Sequence, residues 1–299
     1  MQPPDAMSAT GQTLREALVA AAATLQRAGV EDAGNDARRL LGAALGISGA
    51  QVLATPEMRL SAGQADRFAQ WLGRRSAREP VSRILGEREF HGRTFKLSPA
   101  TLDPRPDSET LIEVVLGFVG EAGLRAAPLR ILDVGTGTGC LLTTLLCELP
   151  NATGLGTDIS EAALQTASDN ACRLGVAGRA AWRVADALDG LDGPFDILVC
   201  NPPYIRTSVI ANLDPEVRDF DPRAALDGGG DGLGMYRRMA PRLAALVPSG
   251  WVLFEVGYDQ GDAVADLLAS ATERQNSPRL SLHRDVAGMT RCVAYRSRA

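Results

Sequence analysis

LRILDVGTGTG, residues 129–139, is a short apolar run that passes straight into a glycine-rich loop. Leu129 to Val134 reads as a β-strand, and a helix is expected from the end of the loop to about Glu148. Glycines at such a junction allow positive φ and let the backbone approach a ligand with no Cβ in the way. The dinucleotide fingerprint G-x-G-x-x-G seats a pyrophosphate on a helix N-terminus. Here the third glycine comes one residue early, in a G-x-G-x-G spacing, and no P-loop lysine follows. Outward from this stretch the pattern repeats. Thr153–Thr157, Ala181–Ala185, Phe195–Cys200, Trp251–Val256, Leu280–Arg284 and Cys292–Tyr295 read as strands. Helices are expected over Ser160–Leu174, Gly232–Val247 (kinked or split by Pro241) and Gln260–Ser270. Repeated βα units imply a doubly wound, mostly parallel sheet that binds ligands at the carboxyl ends of its strands.

The chain before this region differs in texture. Residues 1–12 are expected to be a disordered polar tail, lacking the basic start and apolar core of a secretory signal. Residues 13–79 read as a helical bundle. Thr13-Leu-Arg-Glu16 and Ser61-Ala-Gly-Gln64 fit capping boxes, and a middle helix is expected from about Asp36 to Leu45. Residues 80–106 read as a β-hairpin connector built from Ile84-Leu85-Gly86 with Glu89-Phe90, a His91-Gly92-Arg93 turn, and Thr94–Leu97. A helix capped by Asp107 or Ser108 and running through Leu116 then opens the main domain, residues 107–299.

Composition narrows the function classes. The 299 residues carry a net charge of −5, which argues against a constitutive nucleic-acid coat. Cys140, Cys147, Cys172, Cys200 and Cys292 form no C-x-x-C pair, so free thiols in a reducing compartment are expected rather than a disulfide framework or zinc site. His91 and His283 are the only histidines, too few for a His-rich metal site; His91 reads as a turn residue. No apolar run approaches the roughly 20 residues of a membrane span.

The ligand residues follow from position. A loop of Gly135, Thr136, Gly137, Thr138 and Gly139 without phosphate-binding features suits the methionyl part of S-adenosylmethionine (SAM). Asp158 ends the second strand about 20 residues on, where a carboxylate accepts both hydroxyls of a ribose; helix capping is the plainer alternative. Asp186 at the end of the third strand is placed for an adenine amino group, with Ala187 as its backbone neighbour. A polar strand end explains Asp186 almost as well. The sharpest signal is Asn201-Pro202-Pro203-Tyr204, directly after the fourth strand. Two prolines alone would be a strand terminator. An Asn before them and a Tyr after them suit a poorly nucleophilic planar nitrogen. The Asn201 oxygen and the Pro202 carbonyl would accept from its N–H groups, and the fixed proline φ would hold that carbonyl in place. The Tyr204 face would favour the charge developing on nitrogen. The expected chemistry is methyl transfer from SAM to an amide or amine nitrogen, leaving S-adenosyl-L-homocysteine, with Asn201 touching both cofactor and substrate.

At these residues the sequence resembles the PrmC/HemK family, the N5-glutamine methyltransferases of class 1 peptide chain release factors. The likeness also covers Pro80–Gly86, Phe90-His-Gly92, Pro104-Arg-Pro-Asp107 with Glu109, Glu216-Val-Arg218, Ala225–Gly229, Asp231-Gly-Leu233 and Arg284–Gly288. Asn-Pro-Pro-Tyr alone is shared with amino-methyltransferases of nucleic acids; the flanking segments make the likeness specific. It implies a class I SAM-dependent methyltransferase fold, Rossmann-like with a mostly parallel seven-stranded sheet, and a small N-terminal helical domain that helps grip the substrate. It implies that Gly135–Gly139 and Asp158 bind SAM and Asn201–Tyr204 hold the glutamine of the GGQ motif. A cytoplasmic monomer is expected, with no metal, membrane or stable nucleic-acid partner. The sequence departs from the family at Ala187, where many members carry an aromatic, at Asp103, where an apolar residue is usual, and at Gly34, which would interrupt the second helix.

Three other readings fit less well. An adenine N6-methyltransferase would need clustered Lys, Arg and aromatics around an extruded base, whereas Arg206–Gly230 is acidic. A non-catalytic scaffold would have lost the glycine loop or Asn201. An oxidoreductase would need the other glycine spacing.

Overall fold

The computed structural model describes residues 11–272 and 279–297. The chain divides into two compact units that part between Gly86 and Glu87. Most of the expected tail lies outside the described residues.

The first unit holds α1 (Leu14–Arg27), α2 (Ala33–Leu45), α3 (Gly49–Ala54), α4 (Ala62–Ser76) and α5 (Val81–Leu85). Both expected capping boxes form, at Thr13/Glu16 and Ser61/Gln64; a third, Ser48/Gln51, starts α3, which the sequence reading passed over. Leu14, Leu25, Leu40, Leu41, Val52 and Phe68 close over a shared core. Arg75 and Asp36 pair inside it at 2.7 Å. Two expectations need correction. Gly34 does not interrupt α2; it sits in the first turn, where backbone N–H groups lack helical partners anyway and glycine costs least. Ile84-Leu85-Gly86 is not strand. Pro80 starts a single helical turn whose Val81 and Ile84, three residues apart, both face the bundle core.

The second unit opens with the hairpin β1 (Glu87–Phe90) and β2 (Arg93–Lys96). His91 and Gly92 both have positive φ (49° and 69°), a two-residue turn of the type that matches strand twist. After a 3₁₀ turn at Pro106–Ser108 come α6 (Glu109–Glu121), β3 (Arg130–Val134), α7 (Cys140–Glu148), β4 (Thr153–Asp158), α8 (Glu161–Arg173), β5 (Ala180–Val184) and β6 (Ile197–Cys200). Then follow α9 (Pro215–Arg218), α10 (Gly234–Met239), α11 (Leu243–Leu246), β7 (Trp251–Glu255), α12 (Gly261–Thr272), β8 (Arg279–Arg284) and β9 (Thr290–Arg296). Pro241 splits the helical stretch 232–247 as expected, through a 3₁₀ turn at Ala240–Arg242.

The seven-stranded sheet runs β5-β4-β3-β6-β7-β9-β8. Its first five strands are parallel and β9 is antiparallel to both neighbours. This is the class I SAM-dependent methyltransferase architecture. Alternate residues of the central strands feed two cores, as the period of two requires. Ile131, Ile197, Val199 and Leu253 pack under α6 and α7; Leu132, Leu198, Val252 and Phe254 pack under α10 and α12. Burial on both faces explains why these strands read as unbroken apolar runs. The chain winds outward from β3 through β4 to β5, then returns to β6 on the other side of β3. Such a reversal opens a crevice at the strand ends. Val134 and Cys200, the last residues of β3 and β6, are register partners, so the glycine loop and Asn201 leave the sheet side by side. Among the described residues, no helix is long and apolar enough to cross a membrane.

Candidate functional site

A cavity of about 330 Å³ occupies this crevice. Of the site residues expected from sequence, Gly135, Thr136, Gly137, Thr138, Asp158, Asp186, Ala187, Asn201, Pro202 and Pro203 line it. Gly139 and Tyr204 do not, and each has a supporting place instead. Gly139 has φ +76° and starts α7; a Cβ there would lie 2.9 Å from the Ala167 Cβ, so the loop closes against α8 only with glycine.

Asp158 emerges from β4 at the cavity wall. Gly137 N–H donates to its Oδ2 and Ser160 N–H to its Oδ1, both at 3.0 Å. An ionised carboxylate has about four acceptor sites, so two remain for a ligand. Capping and ligand binding are therefore compatible here. Ile159 beside it is 58% exposed yet lines the cavity, supplying an apolar wall with Val134, Leu141 and Ala187. Asp186 has one oxygen held by Arg238 at 2.6 Å. Ala187 is buried with φ +52°, a region that penalises a Cβ.

Asp133, at the foot of the glycine loop, is buried and accepts from Thr136 Oγ1 at 2.6 Å and Leu142 N–H at 3.3 Å. Burial pushes its carboxyl up to about 7, against those hydrogen bonds.

Asn201 donates from Nδ2 to the Ser108 hydroxyl at 3.1 Å. Tyr204 turns away from the cavity lining: its hydroxyl donates to Glu255 Oε1 at 3.2 Å, and its carbonyl accepts from Gln260 Nε2 at 2.9 Å. Glycines 228 and 232 press on this segment. A Cβ on Gly228 would meet the Pro203 carbonyl at 2.7 Å, and one on Gly232 the Tyr204 carbonyl at 2.3 Å. The Gly-rich stretch 228–234 is thus the mould in which the tetrapeptide is set, a role its composition alone did not reveal.

Sequence reasoning also passed over Glu255 and Arg291, and it read Ser108 only as a helix cap, whereas the Ser108 side chain makes no capping hydrogen bond to α6. Glu255 ends β7 and is 1% exposed; burial pushes its carboxyl up to about 7, opposed by the hydroxyls of Ser108 and Tyr204 and the charge of Arg291. Pro104, Arg105 and Ser108 line the cavity, and their segment is tied at both ends: Arg105 to Asp221 at 2.5 Å, Asp107 to Arg291 at 2.8 Å. Asp103, unusual by family resemblance, is buried and near Arg88 (3.8 Å), with its backbone N–H on Asp221 Oδ1.

Comparison with known proteins gives consistent matches. Residues 16–86 match the family model of the PrmC N-terminal domain, and residues 123–213 that of the methyltransferase small domain. A release factor glutamine methyltransferase from Bradyrhizobium diazoefficiens is 45% identical over 96% of this chain and 96% of its own length. One from Moorella thermoacetica is 41% identical over 95% and 99%. Among solved structures, the catalytic domain of hMettl16 in complex with a MAT2A 3'UTR hairpin superposes with a TM-score of 0.55 at 17% identity, covering 73% of this chain and 82% of that one. At that identity the likeness is one of fold.

Proposed function

This chain belongs to the release factor glutamine methyltransferase family, and from that premise we propose that it transfers a methyl group from SAM to the side-chain amide nitrogen (N5) of the glutamine in the GGQ motif of class 1 release factors. The observation that carries the reading is the register pairing of Val134 with Cys200, which sets the glycine loop and the Asn201 tetrapeptide on one cavity.

The cavity suits SAM by its donor set. Gly135 and Gly137 have open space where a Cβ would project, giving a backbone-lined recess for the methionyl part. Asp158 keeps free acceptor sites for ribose hydroxyls, and Ile159 with Ala187 offers apolar faces to the base. Asp186 would reach the adenine edge with the oxygen Arg238 leaves free. When bound, SAM supplies a methyl carbon activated by a sulfonium, whose loss leaves a neutral thioether.

The rest is done by this chain. An amide nitrogen has a delocalised lone pair, so reactivity comes from placement more than from a base. The Asn201 oxygen and the Pro202 carbonyl accept the two N–H bonds of the glutamine amide and turn its lone pair toward the methyl carbon. Nitrogen bonds to that carbon as the carbon–sulfur bond breaks, with the bonding pair going to sulfur. The cationic amide nitrogen so formed is a strong acid and gives its extra proton to water. Tyr204, held by Glu255 and Gln260, stiffens the turn that carries these acceptors.

A protein substrate is favoured over nucleic acid by charge. On the chain that follows the tetrapeptide, Arg206, Arg218, Arg223 and Arg237 are each paired with an aspartate: Asp259, Asp219, Asp227 and Asp231. Paired cations make a poor phosphate track. The unpatterned free thiols fit a reducing cytoplasm, where release factors work. The test is to incubate the protein with methyl-labelled SAM and, separately, a class 1 release factor, its GGQ-to-GGA variant, duplex DNA and RNA. Label on the release factor alone, lost in the variant, is expected; label on DNA or RNA alone would reject the proposal.

A further inference from the structure

Asn201 carries the proposed reaction only if its carboxamide sits one way round. Oxygen toward the substrate accepts an amide N–H; nitrogen toward it would set donor against donor. The two ends are nearly equal in size, so shape does not choose between them.

The choice falls to Ser108, which is 3% exposed and lies against the Asn201 amino group. A serine hydroxyl has one proton and two lone pairs. If its proton points elsewhere, a lone pair meets Asn201 and only the amino end fits there. If its proton points at Asn201, the carboxamide turns over. Glu255 is the carboxylate beside Ser108. Its Oε1 is taken by the Tyr204 hydroxyl, and its Oε2 is buried with no hydrogen-bond partner among the described residues. The Ser108 hydroxyl is near enough to stabilise the ionised carboxylate.

Resting on the site reading above, we propose that Glu255 and Ser108 are positioning residues: the buried carboxylate accepts a hydrogen bond from the Ser108 hydroxyl and so fixes the Asn201 carboxamide with its oxygen toward the substrate. Both hydroxyls around Glu255 then donate to it, and the tetrapeptide is held at both ends, through Asn201 by Ser108 and through Tyr204 directly. Protonation of Glu255 turns one of its oxygens into a donor and weakens the other as an acceptor, which releases the order.

Several groups face Glu255 from the neighbouring elements. On the 3₁₀ turn, the Asp107 charge opposes its ionisation, and on β9 the Arg291 guanidinium favours it. Arg291 is itself paired with Asp107 and Asp285. Burial pushes the thiols of Cys140, Cys200 and Cys292 and the phenols of Tyr204 and Tyr236 upward, so these stay neutral near pH 7. Tyr236 donates to the Glu255 backbone carbonyl at 2.7 Å. Glu255 is thus the group of this cluster whose charge changes near neutrality, and Asp133, at the foot of the glycine loop, is pushed up to about 7 as well.

The experiment is the single-turnover methyl-transfer rate as a function of pH, with full-length protein, methyl-labelled SAM and a class 1 release factor. The wild-type rate should rise with pH through a midpoint of about 7, as the carboxylate forms. In an Asp133→Asn background, which removes the other carboxyl raised to about 7, Glu255→Gln should be flat between about pH 6 and pH 8, whereas Asp133→Asn alone should keep the rising limb. Ser108→Ala should lose on the order of 10-fold in rate with SAM affinity unchanged, and Ser108→Thr, which restores the hydroxyl, should recover most of it. A rising limb that persists in the Asp133→Asn/Glu255→Gln double variant, its loss in Asp133→Asn alone, or a Ser108→Ala rate equal to wild type overturns the proposal. Should Ser108→Ala not fold, the comparison of Asp133→Asn with the double variant decides alone. Undiminished activity of Asn201→Ala would instead show that the site reading itself is wrong.

Discussion

Asn201 and Glu255 show how unevenly single residues announce themselves. Asn201 was legible because the Asn-Pro-Pro-Tyr pattern is local and chemically odd after an apolar strand. Replacing it with alanine removes one preorganised acceptor, so turnover should fall on the order of 10²–10³-fold. SAM affinity measured by calorimetry should change little; an equal loss of both would make Asn201 mainly a cofactor residue. Glu255 gave no such signal, since an acid at the end of a strand looks like a strand terminus. Its meaning comes from Ser108 and Tyr204, which only the fold brings near. It also has a thermodynamic cost. A carboxyl near pKa 4.5 unfolded and about 7 folded binds more protons in the native state over that interval. Its contribution to stability therefore falls as pH rises from about 4.5 to 7 and stays low above. Glu255→Gln escapes this cost, so urea unfolding at pH 8 should show it more stable than wild type by on the order of 2–3 kcal/mol. The gap should close toward pH 4.5.

At the scale of elements, long periodic segments were read well and short ones were not. The strands around the glycine loop are buried on both faces and bounded by loops, so their apolar runs were unambiguous. The turn α5 was mistaken for strand because a short apolar run between Pro and Gly has no period to measure. The helix α3 has six residues, yet its Ser48/Gln51 capping box was there to be found. The glycine-rich segment 228–234 illustrates a different limit: the sequence shows glycines but not what they touch. Gly232, with φ +78° and the Tyr204 carbonyl where its Cβ would go, should tolerate alanine poorly. Gly232→Ala is expected to cost on the order of 1–3 kcal/mol in a denaturant melt. A variant as stable as wild type would mean that the segment shifts freely and does not mould the tetrapeptide.

For the molecule as a whole, the class of fold was legible because alternating strands and helices admit few arrangements. The site within it was legible only in outline: ten of the expected residues line one cavity, while Gly139 and Tyr204 support it from behind. The cavity belongs wholly to residues 87–299, so ligand binding is linked to the stability of that unit. SAM at 100 times its Kd should raise the opening free energy of its core amides by about 2.7 kcal/mol in hydrogen exchange. The same concentration should protect Asp158→Ala less. Equal protection of both proteins would remove Asp158 from the ligand contacts.

The ladder rung shared by Val134 and Cys200 has a bearing on how such a protein can change. Neighbouring strands lie about 4.8 Å apart, so donor loop and acceptor turn are spaced by backbone and not by any side chain. One residue gained or lost within β6 would swap every side chain between the two cores and carry the acceptor turn out of line. The exposed residues 206–209 are free of that constraint, unlike Asp221 and the glycines 228 and 232 that hold the site. Laboratory diversification for new protein targets has its room there, while the length of β6 is frozen.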